Sequence, residues 1–220
     1  MQVRKYFLPS KTSTKHLRPM KPADVDQVRD LLVRYIDRFH LKQDFSREEM
    51  AHLLCSEASK GVVWAYVVEQ DGKITDLVSF YLLEVSLSQS QRIPECNADK
   101  APQSTVLKAN GKETIRAAYL YYYATETAFS KPNDQAALKA RLDELVHDAL
   151  ILAKKDEFHV FNALTLLDNP LFLKDQKFEP GDGRLHYYLF NWRTPQLGGG
   201  IDENNNMSRE RMGGVGVVML

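Results

Sequence analysis

The residues able to do chemistry in this 220-residue chain are few, and the first candidate is its end. Gly213-Gly214-Val215-Gly216-Val217-Val218-Met219-Leu220 passes through a glycine-rich turn and stops on apolar residues. An apolar run of this kind, rich in Val, predicts a short buried strand. Burial would carry the α-carboxylate of Leu220 out of water, which is costly unless that charge has a partner or a task. The alternative is an edge strand whose last residue reaches solvent. A second carboxylate, Asp182, stands between Gly181 and Gly183. Turn chemistry accounts for that tripeptide; it would also present Asp182 to a cationic or hydroxyl-bearing ligand. Tyr119, Tyr121, Tyr122, Tyr123, Tyr187 and Tyr188 read as core and sheet-face residues, and any that face a cleft could line a peptide groove. Asn162 sits inside the apolar run Val160-Phe161-Asn162-Ala163-Leu164 and needs partners, a hydrogen bond to a neighbouring loop being the structural option.

Other chemistries find little support. Arg211-Met212-Gly213-Gly214-Val215-Gly216 matches Arg-x-x-Gly-x-Gly, a pyrophosphate-binding loop. Such a loop needs a following helix N-terminus, and only four residues remain. The six histidines lack zinc-ligand spacing, so no metal is expected. There is no Gly-x-Ser-x-Gly elbow. Lys+Arg and Asp+Glu balance at 29 each, so charge gives no reason to expect nucleic acid or an anionic membrane surface as partner. Cys55 and Cys96 are unpatterned, which points to a reducing compartment. With neither a signal-peptide core nor an apolar run approaching the roughly 18 residues of a membrane span, the expectation is a soluble, cytoplasmic protein with no transmembrane segment.

These groups must be positioned by a mixed α/β scaffold. Residues 1–20 read as a connecting segment and 21–220 as one domain. A helix begins near Pro22-Ala23-Asp24, with Val25, Val28, Leu31, Leu32, Tyr35, Ile36 and Phe39 on one face. Ser46-Arg47-Glu48-Glu49 is a capping box that starts a second, short helix. Strands are predicted over 62–69 and 74–83 around an Asp71-Gly72 turn, and over 115–125, 158–164, 185–192 and the chain end. A long helix is predicted over 134–154 and a short one over 170–175. Residues 84–112 and 196–212 read as surface loops. This element order fits the acyl-CoA N-acyltransferase (GNAT-like) fold, in which a splayed sheet grips a thioester.

Several stretches together resemble one family. Leu17-Arg18-Pro19-Met20, Thr75-Asp76-Leu77-Val78-Ser79-Phe80-Tyr81, Ala117-Ala118-Tyr119, Phe161-Asn162-Ala163-Leu164, Lys177-Phe178-Glu179-Pro180-Gly181-Asp182-Gly183 and Tyr187-Tyr188-Leu189-Phe190-Asn191-Trp192 are similar to the C-terminal half of eukaryotic N-myristoyltransferase. They occur in the family's order. The resemblance implies one of two pseudo-symmetric acyltransferase-like halves. It further implies transfer of myristate from myristoyl-CoA to an N-terminal glycine amine, with Leu220 supplying its C-terminal carboxylate as general base. Tyr81, Tyr119, Asn162 and Leu185 would line the peptide groove, and Gly181, Asp182 and Gly183 would meet substrate residues beyond the glycine. Myristoyl-CoA would be bound mainly by the other half, so the implied partners are glycine-initiated peptides and the N-terminal half itself. This chain departs from the family at Glu84-Val85, where Pro-Ser is usual, and 84–114, 126–141 and 196–213 look like insertions. An acetyl-CoA-dependent N-acetyltransferase using the 211–216 loop, or a non-enzymatic peptide-binding domain, are the alternatives.

Overall fold

The computed structural model describes residues 7–86, 114–130, 134–181, 183, 185–188, 190–202, 208 and 213–219. Its centre is a five-stranded sheet in the order β1 (Leu17–Pro19), β2 (Val63–Gln70), β3 (Lys73–Ser86), β4 (Thr114–Thr125), β5 (Val160–Asn162). The first four strands are antiparallel neighbours and β5 is parallel to β4. A parallel neighbour requires a crossover, and the 21-residue helix α4 (Gln135–Lys155) supplies it. The earlier helices are α1 (Val25–Ile36), entered through a 3₁₀ turn at Pro22–Asp24, α2 (Arg47–Cys55) and the single turn α3 (Thr127–Ser130). The β3 residues Asp76–Tyr81 are buried without interruption, as expected when both faces of a sheet are covered.

Local chemistry explains the element ends. Ser46 accepts a hydrogen bond from the Glu49 N–H while the Glu49 carboxylate accepts one from the Ser46 N–H, closing the capping box of α2. Asp134 caps α4 through the Ala137 N–H, and Lys154 and Lys155 lie in its last turn, where a cation meets the negative end of the helix dipole. Asp71 and Gly72 take φ of 50° and 77°, the backbone a two-residue hairpin needs.

Several expectations require correction. The strand read over 158–164 is only Val160–Asn162, the short helix over 170–175 is a 3₁₀ turn at Asn169–Leu171, and the chain end makes an isolated bridge between Val215 and Leu41 in place of a strand. Leu17–Pro19 lies within the segment read as a connector, yet it forms the edge strand, and its register with β2 is Leu17↔Val68, Arg18↔Val67, Pro19↔Tyr66. That segment is further tied down by Asp148 on α4, whose fully buried carboxylate accepts from the N–H groups of Ser13 and Thr14 at 2.8 Å each. Residues 185–188 and 190–192 form no ladder; Leu185, Tyr188, Phe190 and Trp192 are exposed. Their aromatic content favours a pleated surface, but propensity does not provide a neighbouring edge. The strand expected to stop at residue 83 continues to Ser86, and across it Glu84 faces Arg116. The rest of the 84–112 loop and Cys96 lie outside the described residues.

Candidate functional site

The register of the sheet aligns three of the sequence-predicted groove residues. Tyr81 on β3 pairs with Tyr119 on β4, and Tyr119 pairs with Asn162 on β5, so the three share one row across the sheet. The rings of Tyr81 and Tyr119 stack at 5.5 Å with 20° between their planes. Tyr81 is buried while Tyr119 and Asn162 are half-buried, so the row runs from the core towards solvent.

Next to this row β4 carries a bulge. Val78 faces Tyr123 and Phe80 faces Leu120, so the single residue Ser79 opposes both Tyr121 and Tyr122. The Ser79 hydroxyl repairs the ladder by donating to the Tyr122 carbonyl at 2.6 Å and accepting from the Tyr122 N–H at 3.1 Å. A bulge breaks the strict alternation of faces. The Tyr121 and Tyr122 rings accordingly approach to 4.7 Å, and Tyr121 meets Tyr81 edge-on at 5.6 Å.

The chain end runs onto this tyrosine cluster. Its first part is held by backbone: the Gly213, Gly214 and Val215 carbonyls accept from the N–H groups of His40, Leu41 and Leu167, and the Gly216 N–H donates to the Leu41 carbonyl. From there phenols take over. Tyr187 donates to the Val217 carbonyl at 2.8 Å, the Val218 N–H donates to the Tyr122 oxygen at 3.0 Å, and Tyr81 donates to the Met219 carbonyl at 3.1 Å. Val215 and Val218 are buried and Met219 is exposed. Burial raises the Tyr81 and Tyr187 phenols and pushes Tyr122 up to about 12 despite the opposing effect of the Val218 N–H. All three remain neutral hydrogen-bonding groups near neutrality.

Below the tail lies a buried polar network that sequence reasoning missed. Asp168 accepts from the Tyr35 hydroxyl at 2.6 Å and pairs with Arg38; its N–H donates to Tyr123, whose hydroxyl donates to Asn169 at 2.7 Å. This network fixes the turn in which Leu167 takes φ of 51°, an unfavourable backbone for a branched residue, while donating to Val215. Asp168-Asn169-Pro170 reads locally as a turn, and nothing in it announces partners more than 120 residues away. Asp148 was missed as well, although a carboxylate between Val146 and Ala149 on an apolar helical face is a signal that could have found it.

Gly181, Gly183 and Leu185 are exposed, with open space where a glycine side chain would stand, and the structure does not draw them into the tyrosine row. Their segment is linked to the tail through Tyr187. Asp182 and Leu220 lie outside the described residues. The Arg-x-x-Gly-x-Gly match does not make a phosphate cradle at Gly216, whose N–H is already used by Leu41. A Cβ on Gly216 would meet Phe39 at 2.8 Å, and one on Gly214 would meet the Gly198 carbonyl oxygen at 1.9 Å, so close packing demands these glycines. Among the described residues no group of three or more His, Cys, Asp or Glu could hold a metal, and no helix is long and apolar enough to cross a membrane.

Comparison with known proteins identifies the relatives. A "predicted acetyltransferase" from Clostridium acetobutylicum, solved with acetyl-CoA, is 16% identical, covers 81% of this chain and 98% of its own, and superposes with a TM-score of 0.51. At that identity it supports the fold alone, which is acyl-CoA N-acyltransferase-like. Saccharomyces cerevisiae N-myristoyltransferase, solved with bound myristoyl-CoA, is 43% identical with a TM-score of 0.86, over 100% of this chain and 47% of its own. Curated relatives include the glycylpeptide N-tetradecanoyltransferases of Aspergillus fumigatus, 53% identical over 100% of this chain and 41% of the relative, and of S. cerevisiae, 45% identical over 97% and 45%. The chain thus spans less than half the length of these N-myristoyltransferase relatives. With residues 1–99 and 101–218 matching the family described as "Myristoyl-CoA:protein N-myristoyltransferase, C-terminal domain", the chain belongs to that C-terminal domain family.

Proposed function

We propose that this chain is the peptide-binding, base-donating half of an N-myristoyltransferase, which transfers myristate from myristoyl-CoA to the N-terminal glycine amine of proteins. The observation that carries the reading is the hydrogen bond from Tyr81, an expected groove residue, to Met219, the residue before the terminal carboxylate. It brings the peptide row and the chain end to one place. In this reading Tyr81, Tyr119, Asn162 and Leu185 line the groove, and Gly181, Asp182 and Gly183 meet substrate residues beyond the glycine. The Leu220 carboxylate is the general base.

The chemistry suits such a base. A glycine ammonium has a pKa of roughly 8 and must lose protons before its nitrogen can attack. A free α-carboxylate, near about 3.5, is a weak base in water; burial beside Val217 and Val218 would favour its protonated form and so raise its basicity. Placement beside the incoming amine adds proximity. The carboxylate accepts one ammonium proton, the nitrogen bonds to the thioester carbonyl carbon, the carbon–sulfur bond breaks, and the second nitrogen proton passes to the departing sulfur, so that coenzyme A leaves as thiol. Myristoyl-CoA binds mainly through an upstream half, so the 220 residues alone are expected to be inactive. The test joins this chain to the upstream half of the A. fumigatus relative and measures myristoylation of a glycine-initiated peptide. Turnover only in the joined protein supports the reading, and turnover by the 220 residues alone overturns the assignment of the acyl-CoA site.

A further inference from the structure

We infer that Tyr122 and Tyr187 are positioning residues for the proposed reaction, clamping Val217 and Val218 so that the chain end is held in one register beside the peptide row. This rests on the reading of Leu220 as the base. Three independent features of the geometry carry it.

The first is the change of partner along the tail. Up to Gly216 its carbonyls at 213, 214 and 215 and the Gly216 N–H pair with backbone from the segment after α1 and from Leu167. At 217, 218 and 219 the partners are side-chain hydroxyls from three separate places: the segment after Gly183, β4 and β3. Burial alone requires only that each backbone group find some partner. Here three consecutive residues each give a backbone polar group to a different phenol, and a one-residue slip would replace carbonyls by the wrong groups.

The second is that the phenol polarity is set. Tyr122 donates its proton towards the Gln43 side-chain oxygen at 3.4 Å, which leaves a lone pair for the Val218 N–H. Tyr187 and Tyr81 meet carbonyls and can only donate to them. The pattern of donor, acceptor, donor reads the backbone order of the tail.

The third is that the Tyr122 hydroxyl is aimed by the bulge. Ser79 holds both polar groups of the Tyr122 backbone, and the Tyr122 ring is wedged edge-on against Phe45 at 5.2 Å and Tyr121 at 4.7 Å. The hydroxyl is delivered by a rigid element. Tyr187 lies on an otherwise exposed segment, so its bond to Val217 also ties the expected groove loop of Gly181 to Leu185 to the chain end.

The experiment uses the joined full-length protein with Tyr122→Phe, Tyr187→Phe and both, which remove the hydroxyls and keep the rings. Two readouts are taken: kcat and KM for myristoyl-CoA and peptide, and the rate at which carboxypeptidase Y releases the terminal residues. One net hydrogen bond corresponds to about fivefold in the population of displaced tail. Each single variant is therefore expected to lose about fivefold in kcat and to speed terminal release by about the same factor, with KM for myristoyl-CoA unchanged. A general loss of structure would instead move both KM values and the thermal midpoint together. Wild-type kcat and release rates in both variants overturn the clamp, as does faster release without any fall in kcat. Deletion of Met219 and Leu220 is run in parallel: unchanged turnover there removes the base assignment itself, a failure distinguishable from that of the clamp because the release rates still report it.

Discussion

Tyr122 keeps its proton to about pH 12 because burial penalises the phenolate more than the Val218 N–H favours it. Burial has the same direction at Tyr35, Tyr66, Tyr121 and Tyr123. A group whose folded pKa is raised contributes stability fully present below its unfolded value, here about 10, and loses it as pH rises through the folded value. The tyrosine contribution to the unfolding free energy should thus be constant up to about pH 10 and then fall towards pH 12, with the tyrosinate absorbance of the buried phenols appearing together with unfolding; ionisation of more than the accessible tyrosines in a still-folded chain would contradict the burial. The Asp168 network gives a second prediction at this scale. Asp168→Ala leaves the Tyr35 hydroxyl and the Arg38 guanidinium without their shared buried partner and should cost roughly 3 kcal/mol in urea unfolding, the order expected for breaking a buried ion pair. A cost under about 0.5 kcal/mol, the level of an ordinary surface change, would show that the network is not stabilising the turn under the tail.

The elements divide by how local their causes are. Helix α1 and the capping box of α2 were legible because periodicity and capping are properties of neighbouring residues. The hairpin turn at Asp71-Gly72 was legible for the same reason. The edge strand Leu17–Pro19 was not: three residues ending in Pro look like a linker, and Pro is tolerated there only because an edge strand can spare a donor. The segment 185–192 failed in the opposite direction, since aromatic residues announced a strand and no neighbouring edge pairs with it. The tyrosine row was half legible. The residue types could be read and their family roles expected, but the bulge at Ser79 and the register that aligns Tyr81, Tyr119 and Asn162 are cross-strand facts. The tail also depends on close backbone approach. Gly214→Ala would place a methyl group 1.9 Å from the Gly198 carbonyl oxygen, a contact that backbone cannot relieve by small shifts. It should lower stability by roughly 3 kcal/mol, the upper range of overpacking, and accelerate carboxypeptidase release of the tail. Gly183→Ala, in open space, should do neither.

At the scale of the molecule, the described residues form one five-stranded sheet with its helices, and the chain accounts for only 41% and 45% of the A. fumigatus and S. cerevisiae relatives. A fold-level likeness to acetyltransferases alone would have left the direction of the chemistry open. Family membership, the tyrosine row and the course of the tail together favour a half that receives the peptide and brings a base to it, with the thioester presented by an upstream half. The central claim is that the chain end performs the proton transfer, and single-turnover myristoylation by the joined protein, with and without Met219 and Leu220, tests it most directly. The account predicts that the truncated protein still binds myristoyl-CoA and the glycine-initiated peptide but loses the acyl-transfer step by at least about a hundredfold, the lower range of general-base contributions. Transfer at the full-length rate after truncation would contradict it.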